Sequence, residues 1–355
     1  MGMAHRTMPR KEGRKRVRIT TMIRCAAILL LVACTACRKE LYYHDDDHAL
    51  TVKVYAVTSW KQEWERTHSY NWKESWLDEF RYTYDALRPD KATGIKATVY
   101  GDDGYSGELH LPAEGGKLPL REGKHAVLLY NNDTEYIVFD GLSASTSATA
   151  TTRTLTRASL GALHKGERTI NQPDQLYAHY LEECTGEKTL EKVELPVTMH
   201  PLTYTYLIRY KFSKGLKYVA LTRGALAGMA EKVYLNDGRT GSETATILFD
   251  CSQTDFGADV CMKCFGVPNY PGDHYTRADS TPAYYTLNLE VRLNNGKVLN
   301  YEFDVTDQVN AQPRGGVITV DGIEVDDEDG MAGSGGFDVT VDGWGDYMDI
   351  PLPLG

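Results

Sequence analysis

The chain has 355 residues, 42% hydrophobic and 25% charged, which is enough for two domains of roughly 100 to 200 residues each. Net charge is −10, but eight Lys/Arg (Arg6, Arg10, Lys11, Arg14, Lys15, Arg16, Arg18, Arg24) against one acid, Glu12, lie within the first 33 residues, so the remainder is strongly acidic. That distribution excludes a nucleic-acid partner, because releasing counterions from a polyphosphate needs a basic stripe on the folded body.

The basic run leads into Ala26-Ala27-Ile28-Leu29-Leu30-Leu31-Val32-Ala33, too short to span a bilayer core and of the length of a signal-peptide apolar region. Met22-Ile23-Arg24 supplies a short basic start of its own, so Met22 is an alternative initiator. The apolar run ends in Leu31-Val32-Ala33-Cys34, which resembles the lipobox of bacterial lipoproteins, where the cysteine thiol takes a diacylglycerol. A second cysteine follows in Cys34-Thr35-Ala36-Cys37, so Cys34 and Cys37 are both candidate lipidation sites, and the leucine three residues before Cys34 favours the first. Acyl chains at either would hold a membrane through about 0.8 kcal/mol per buried CH₂. The next stretch, to His44-Asp45-Asp46-Asp47-His48, reads as a solvated acidic tether rather than a metal site, since adjacent residues of an extended chain rarely converge on one ion.

Period-2 alternation dominates from there on, which is how half-buried strands are written. Val52, Val54 and Ala56 form one such run; Ile95, Ala97 and Val99 another; His125–Tyr130 and Tyr136–Phe139 are apolar runs joined by the turn-prone Asn131-Asn132-Asp133. Between the first two lies an insertion, residues 60 to 90, holding Trp60, Trp64, Trp72 and Trp76 and a short predicted helix over Trp76–Tyr82. Ser143–Thr154 reads equally as an edge strand or a loop. A second helix is predicted over Pro173–Tyr180, in a connection leading to a boundary near Leu195-Pro196.

Beyond the boundary, Tyr204, Tyr206, Ile208, Tyr210 and Phe212 share one face of a strand and Thr205, Arg209 and Lys211 the other. Tyr285 to Leu293 and Leu299 to Val305 flank Asn295-Gly296, the sequence form of a hairpin with a type I′ turn. Val317–Val320 and Phe337-Val339-Val341 continue the pattern. The fold class expected is therefore mainly all-β, with short helices, in β-sandwich domains. The segments are 1–36 signal peptide and lipobox, 37–48 tether, 49–160 first β-sandwich domain, 161–194 connection and 195–355 second β-sandwich domain.

Four stretches resemble the fimbrillin-like lipoproteins of Gram-negative anaerobes, the group that holds anchor and minor subunits of type V fimbriae. They are Cys37-Arg38-Lys39-Glu40-Leu41-Tyr42, Gly94 to Gly104, Leu221 to Leu235, and Gly336 to Asp346. The resemblance implies two tandem transthyretin-like β-sandwich domains, an outer-membrane lipid anchor, surface exposure, and a role in attaching or capping a filament of related subunits. In that family a partner's strand completes an open sheet edge. The resemblance also favours Cys37 as the acylated residue, against the local preference for Cys34.

For chemistry, Cys261-Met262-Lys263-Cys264, with Cys251 ten residues earlier, Cys184 farther back and His274 ten residues on, has zinc-like spacing. No second CxxC completes it, and an oxidising compartment favours a disulfide, with inert thiols the third reading. Asp326-Asp327-Glu328-Asp329-Gly330 lacks calcium-loop spacing and reads as a solvated loop. The tryptophans Trp60, Trp64, Trp72 and Trp76 are candidates for an aromatic platform that stacks on sugar rings, the alternative being a core. The nucleophile elbow, zinc-protease helix, phosphate loop and dinucleotide fingerprint are all missing from the sequence. No enzyme, cofactor or metal is expected. The expected partners are other fimbrial subunits and the outer membrane, with glycans as the alternative ligand.

Overall fold

The computed structural model describes residues 50–66, 70–102, 104–156, 166–271, 284–331, 344 and 348–350. The chain divides into a small unit, Met1–Thr51 with Lys188–Glu191, and a large one, Val52–Glu187 with Lys192–Gly355, which holds both seven-stranded sheets. The large unit is built mainly of strands, with short helices, as the alternation predicts.

A first seven-stranded sheet runs in the order Ser106–Pro112, Gly94–Gly101, Gly123–Tyr130, Tyr177–Gly186, Val193–Pro201, Val54–Trp60, Gly115–Lys117. Its two end strands are joined by only Ala113 and Glu114, so the sheet must curl until its edges meet. The bend closes where Trp60 Nε1 donates to the Ala113 carbonyl at 3.1 Å and Thr58 N–H to the Glu114 carbonyl at 3.2 Å. Gly115 has φ 95°, and a Cβ there would lie 2.1 Å from the Ala56 carbonyl oxygen, so the closure needs glycine.

Ile95, Ala97, Val99, Val127 and Leu129 fill the curled interior with Val54, Val197 and Met199. Leu128 and Tyr130, on the opposite face of the same strand, join a separate core with Ile137, Ala150, Leu176, Ala178, Leu235 and Phe265. Burial on both faces is why residues 127–130 read as a continuous apolar run instead of an alternating one. It also explains a misreading. The helix predicted over Pro173–Tyr180 is a strand from Tyr177, because Leu176 and Ala178 face one core and Tyr177 the other, which blurs the period of two.

The apolar runs flanking Asn131–Asp133 do not pair with each other. Gly123–Tyr130 lies between Gly94–Gly101 and Tyr177–Gly186, while Ile137–Asp140 pairs with Thr149–Thr152 in a three-stranded sheet. Asn131 diverts the chain: its Oδ1 accepts from Tyr177 N–H at 2.6 Å and its Nδ2 donates to the Gln175 carbonyl at 2.9 Å. Thr149–Thr152 makes a strand of the later part of the ambiguous Ser143–Thr154 stretch.

The second half is a sandwich. Its seven-stranded layer runs Val298–Asp304, Thr286–Leu293, Val219–Ala230, Thr244–Asp250, Arg168–Ile170, Thr154–Thr156, Met348–Ile350. Its four-stranded layer runs Ser252–Gln253, Gly257–Cys264, Tyr204–Lys214, Gly316–Glu324. Leu287, Leu289, Val291 and Leu293 meet Tyr206, Ile208, Tyr210, Ile318 and Val320 between them; each fully buried aliphatic contributes about 1.5–3 kcal/mol. Sheet membership interleaves the halves: Val193–Pro201 belongs to the first sheet, and Thr154–Thr156 and Arg168–Ile170 to the second half's.

The hairpin at Asn295-Gly296 forms with the expected register, Leu287 opposite Phe303 and Leu289 opposite Tyr301. Its turn is not type I′. Gly296 has φ 85° while Asn295 keeps a negative φ, and Gly296 N–H donates to the Leu293 carbonyl at 2.9 Å, the form of a three-residue loop with a left-handed glycine. Asn294 N–H is held by the Tyr218 carbonyl at 2.9 Å, a long-range contact that sets the loop and that local sequence does not display. The strand expected at Phe337–Val341 lies outside the described residues.

Candidate interaction surface

The candidate lipid sites Cys34 and Cys37 lie outside the described residues. Among the described residues, no helix is long and apolar enough to cross a membrane.

The tryptophan segment does not stay with the first sheet. Residues 70–87 lie across the outer face of the four-stranded layer, where Phe80 packs with Leu207 and Val317, flanked by Trp72, Trp76, Tyr82, Leu87 and Cys261. The helix predicted over Trp76–Tyr82 is a series of turns, followed by a 3₁₀ turn at Tyr84–Leu87 capped by Thr83. Trp76 and Phe80 sit four residues apart and in contact at 4.7 Å, as on a helix, but here the sheet beneath holds them. Trp64 is 2% exposed and meets Trp76 edge-on at 5.7 Å and Tyr84 at 5.2 Å. Trp60 stands apart, edge-on to Tyr177 at 4.9 Å. Three tryptophans are thus brought together, with rings crossed at steep angles rather than laid out as a flat platform.

Charges fasten this cover. Arg209, 2% exposed, lies between the Phe80 and Phe256 rings at 4.8 and 4.7 Å and donates to Glu79 Oε1 at 2.8 Å. Hydrogen bonds from Arg209 and Lys211 hold the Glu79 carboxyl below its usual range. Arg81 reaches the buried Asp259 at 3.1 Å; burial pushes the Asp259 carboxyl up, and the Arg81 charge opposes it. Sequence alternation marks Arg209 as belonging to the face opposite Tyr210, but not what covers that face.

The thiols of the CxxC region are separated. On the strand Gly257–Cys264, residues three apart point to opposite faces, so Cys264 enters the sandwich core while Cys261 faces the tryptophan cover. Cys184, Cys251, Cys261 and Cys264 are thiols rather than disulfides. No group of three or more metal-ligating side chains forms among the described residues. Burial pushes the Cys264 thiol up to about 12, and burial plus the Asp259 charge push Cys261 up to about 11, so both stay protonated and unreactive. Native-state alkylation at pH 8 is therefore expected to modify Cys264 only on unfolding; labelling within minutes in the native state would contradict this placement.

The acidic run forms part of a helix, Asp327–Met331, and is met by lysines: Lys214 pairs with Asp326 at 3.3 Å, Lys217 with Asp327 at 3.8 Å, and Lys297 with Asp329.

What remains is the sheet edge. Among the described residues, Val298–Asp304 is a seven-residue strand paired on one side only, with Thr286–Leu293. Leu299, Tyr301 and Phe303 pack on the core; Val298 is 39% exposed, and Asn300, Glu302 and Asp304 are also exposed. Leu293 N–H bonds the Lys297 carbonyl and Val305 N–H the Tyr285 carbonyl, which sets odd-numbered residues to bond inward. The backbone groups of Val298, Asn300, Glu302 and Asp304 therefore face outward, a row that another strand can pair with.

Two packed β layers, one of them ending in the seven-residue strand Val298–Asp304, define a β-sandwich protein. Comparison with known proteins is consistent with that class. Residues 85–250 match a protein family described as "Domain of unknown function (DUF5119)". Over 304 residues the chain is 24% identical to "Putative fimbrium anchoring subunit Fim4B" of Bacteroides ovatus, covering 78% of this chain and 89% of that protein. The crystal structure of a "putative adhesin" from Bacteroides ovatus shares the fold, with TM-score 0.55 and 20% identity over 80% of this chain and 95% of that one. The resemblance to fimbrillin-like proteins of the fimbrial anchor type is thereby borne out.

Proposed function

We propose that this chain is a lipid-anchored subunit of a cell-surface fimbrium, an anchor or accessory subunit that attaches the filament to the outer membrane and mediates adhesion without catalysis. The observation that carries the proposal is the similarity running over 89% of a relative named as a fimbrium anchoring subunit. The leader ending at Cys34 or Cys37 supports membrane attachment. In this reading the curled sheet and the sandwich act as tandem transthyretin-like domains. Assembly proceeds by strand addition, with a related subunit's strand pairing along Val298–Asp304, whose outward backbone groups support that choice.

The test is purification of tagged wild type and of a Cys34→Ser/Cys37→Ser double variant from detergent-solubilised outer membranes, with mass spectrometry of what accompanies them. Wild type is expected in the membrane fraction with a related β-rich subunit, and the double variant in the soluble periplasm. A wild type that is soluble, or that carries no such subunit, would refute the reading.

A further inference from the structure

The four-stranded layer also ends in an edge strand, Gly316–Glu324, paired on one side with Tyr204–Lys214 in parallel register. Among the described residues, its other side is occupied by two glutamine side chains rather than a strand. Gln312 Oε1 accepts from Val317 N–H at 2.9 Å, and its Nε2 donates to the Val317 carbonyl at 2.6 Å. Gln308 Oε1 accepts from Thr319 N–H at 2.9 Å, and its Nε2 donates to the Thr319 carbonyl at 3.0 Å. A carboxamide has the same donor and acceptor as a peptide group, so each glutamine reproduces the paired bonds that one residue of a neighbouring strand would make.

The spacing matches because of two periodicities. Gln308 lies on the helix Thr306–Ala311 and Gln312 just after it; four residues of helix advance about 6 Å. Val317 and Thr319 are two residues apart on a strand, about 6.6 Å. Gly316 makes room: a Cβ there would lie 1.9 Å from Gln312 Oε1, and its φ of 145° suits glycine. The helix is fixed in place by Val309, fully buried in the sandwich core, and by Tyr206, whose hydroxyl donates to the Gln312 carbonyl. At the layer's far edge the strand is only Ser252–Gln253, and Gln253 Nε2 donates to the Val219 and Ala220 carbonyls at 3.0 and 2.9 Å.

We infer that Gln308 and Gln312 act as a built-in substitute strand that closes this edge to other chains, leaving strand pairing to the other layer. The closure belongs to the chain's own edge and holds whatever partner the protein serves. An uncovered sheet edge is a template on which another strand can pair; here the occupant excluded is a strand from a second copy of this chain.

The test uses the purified chain and Gln308→Ala/Gln312→Ala, with hydrogen exchange and sedimentation. In the double variant the Val317 and Thr319 amides are expected to exchange at least about tenfold faster, each having lost its buried partner. The variant is also expected to form concentration-dependent dimers while wild type stays monomeric. Adding Thr319→Pro, which removes an outward N–H at no cost to the inward ladder, is expected to restore the monomer. Should the double variant fold poorly, Gln308→Ala alone, at the half-buried position, is expected to free Thr319 only. Unchanged exchange, a double variant that stays monomeric with exposed amides, or a dimer that survives Thr319→Pro would each overturn the inference.

Discussion

Glu302→Pro is expected to weaken capture of a partner subunit sharply while leaving the fold intact. Glu302 sits on the edge strand with its side chain exposed and its N–H facing outward by the register of the hairpin. A proline there removes no bond to Thr286–Leu293, the condition under which edge strands tolerate it. An incoming strand would lose one ladder bond worth about 1 kcal/mol and meet the ring besides, so co-purification should fall by roughly tenfold or more. Tyr301→Pro, one residue away, breaks an inward bond and is expected to destabilise instead. The pair separates loss of pairing from loss of fold, and equal capture by wild type and Glu302→Pro would place the pairing edge elsewhere.

The second large effect is on stability. Trp64→Ala removes a side chain that is 2% exposed and wedged against Trp76 and Tyr84. Deleting a buried tryptophan costs about 3–5 kcal/mol, a large share of the 5–15 kcal/mol by which domains are usually stable. Tm is then expected to fall by roughly 10 °C in a thermal melt. Lys73→Ala, exposed on the same segment, is expected to shift stability by less than about 0.5 kcal/mol. A Trp64→Ala protein that melts like wild type but loses binding to a polysaccharide column would return the tryptophans to the role of a sugar platform.

Local sequence carries some parts of this molecule and not others. The strand Tyr204–Lys214 and the hairpin around Gly296 are legible because one face of each is apolar and the turn holds a glycine. The turn type is not, because the Tyr218 carbonyl that holds Asn294 is distant in sequence. Both predicted helices failed for packing reasons. Leu176, Tyr177 and Ala178 are buried on two faces, and the four-residue spacing of Trp76 and Phe80 is imposed by the sheet they cover. Alternation places Arg209 on the face opposite Tyr210, yet its partners Glu79, Phe80 and Phe256 come from elsewhere in the chain. The same holds for Gln308 and Gln312, whose four-residue spacing acquires meaning only once Val317 and Thr319 lie beside it. The CxxC spacing suggested a pair, but a strand sends Cys261 and Cys264 to opposite sides.

Addition of a related subunit's strand along Val298–Asp304 is tested most directly by hydrogen exchange on the native complex recovered from outer membranes, compared with the isolated chain. The amides of Asn300, Glu302 and Asp304 are expected to become protected on binding, while those of Val317 and Thr319, already bonded to the glutamines, do not change. Protection confined to the Gly316–Glu324 edge or to the tryptophan segment, with Val298–Asp304 exchanging as freely as before, would contradict strand addition at this edge.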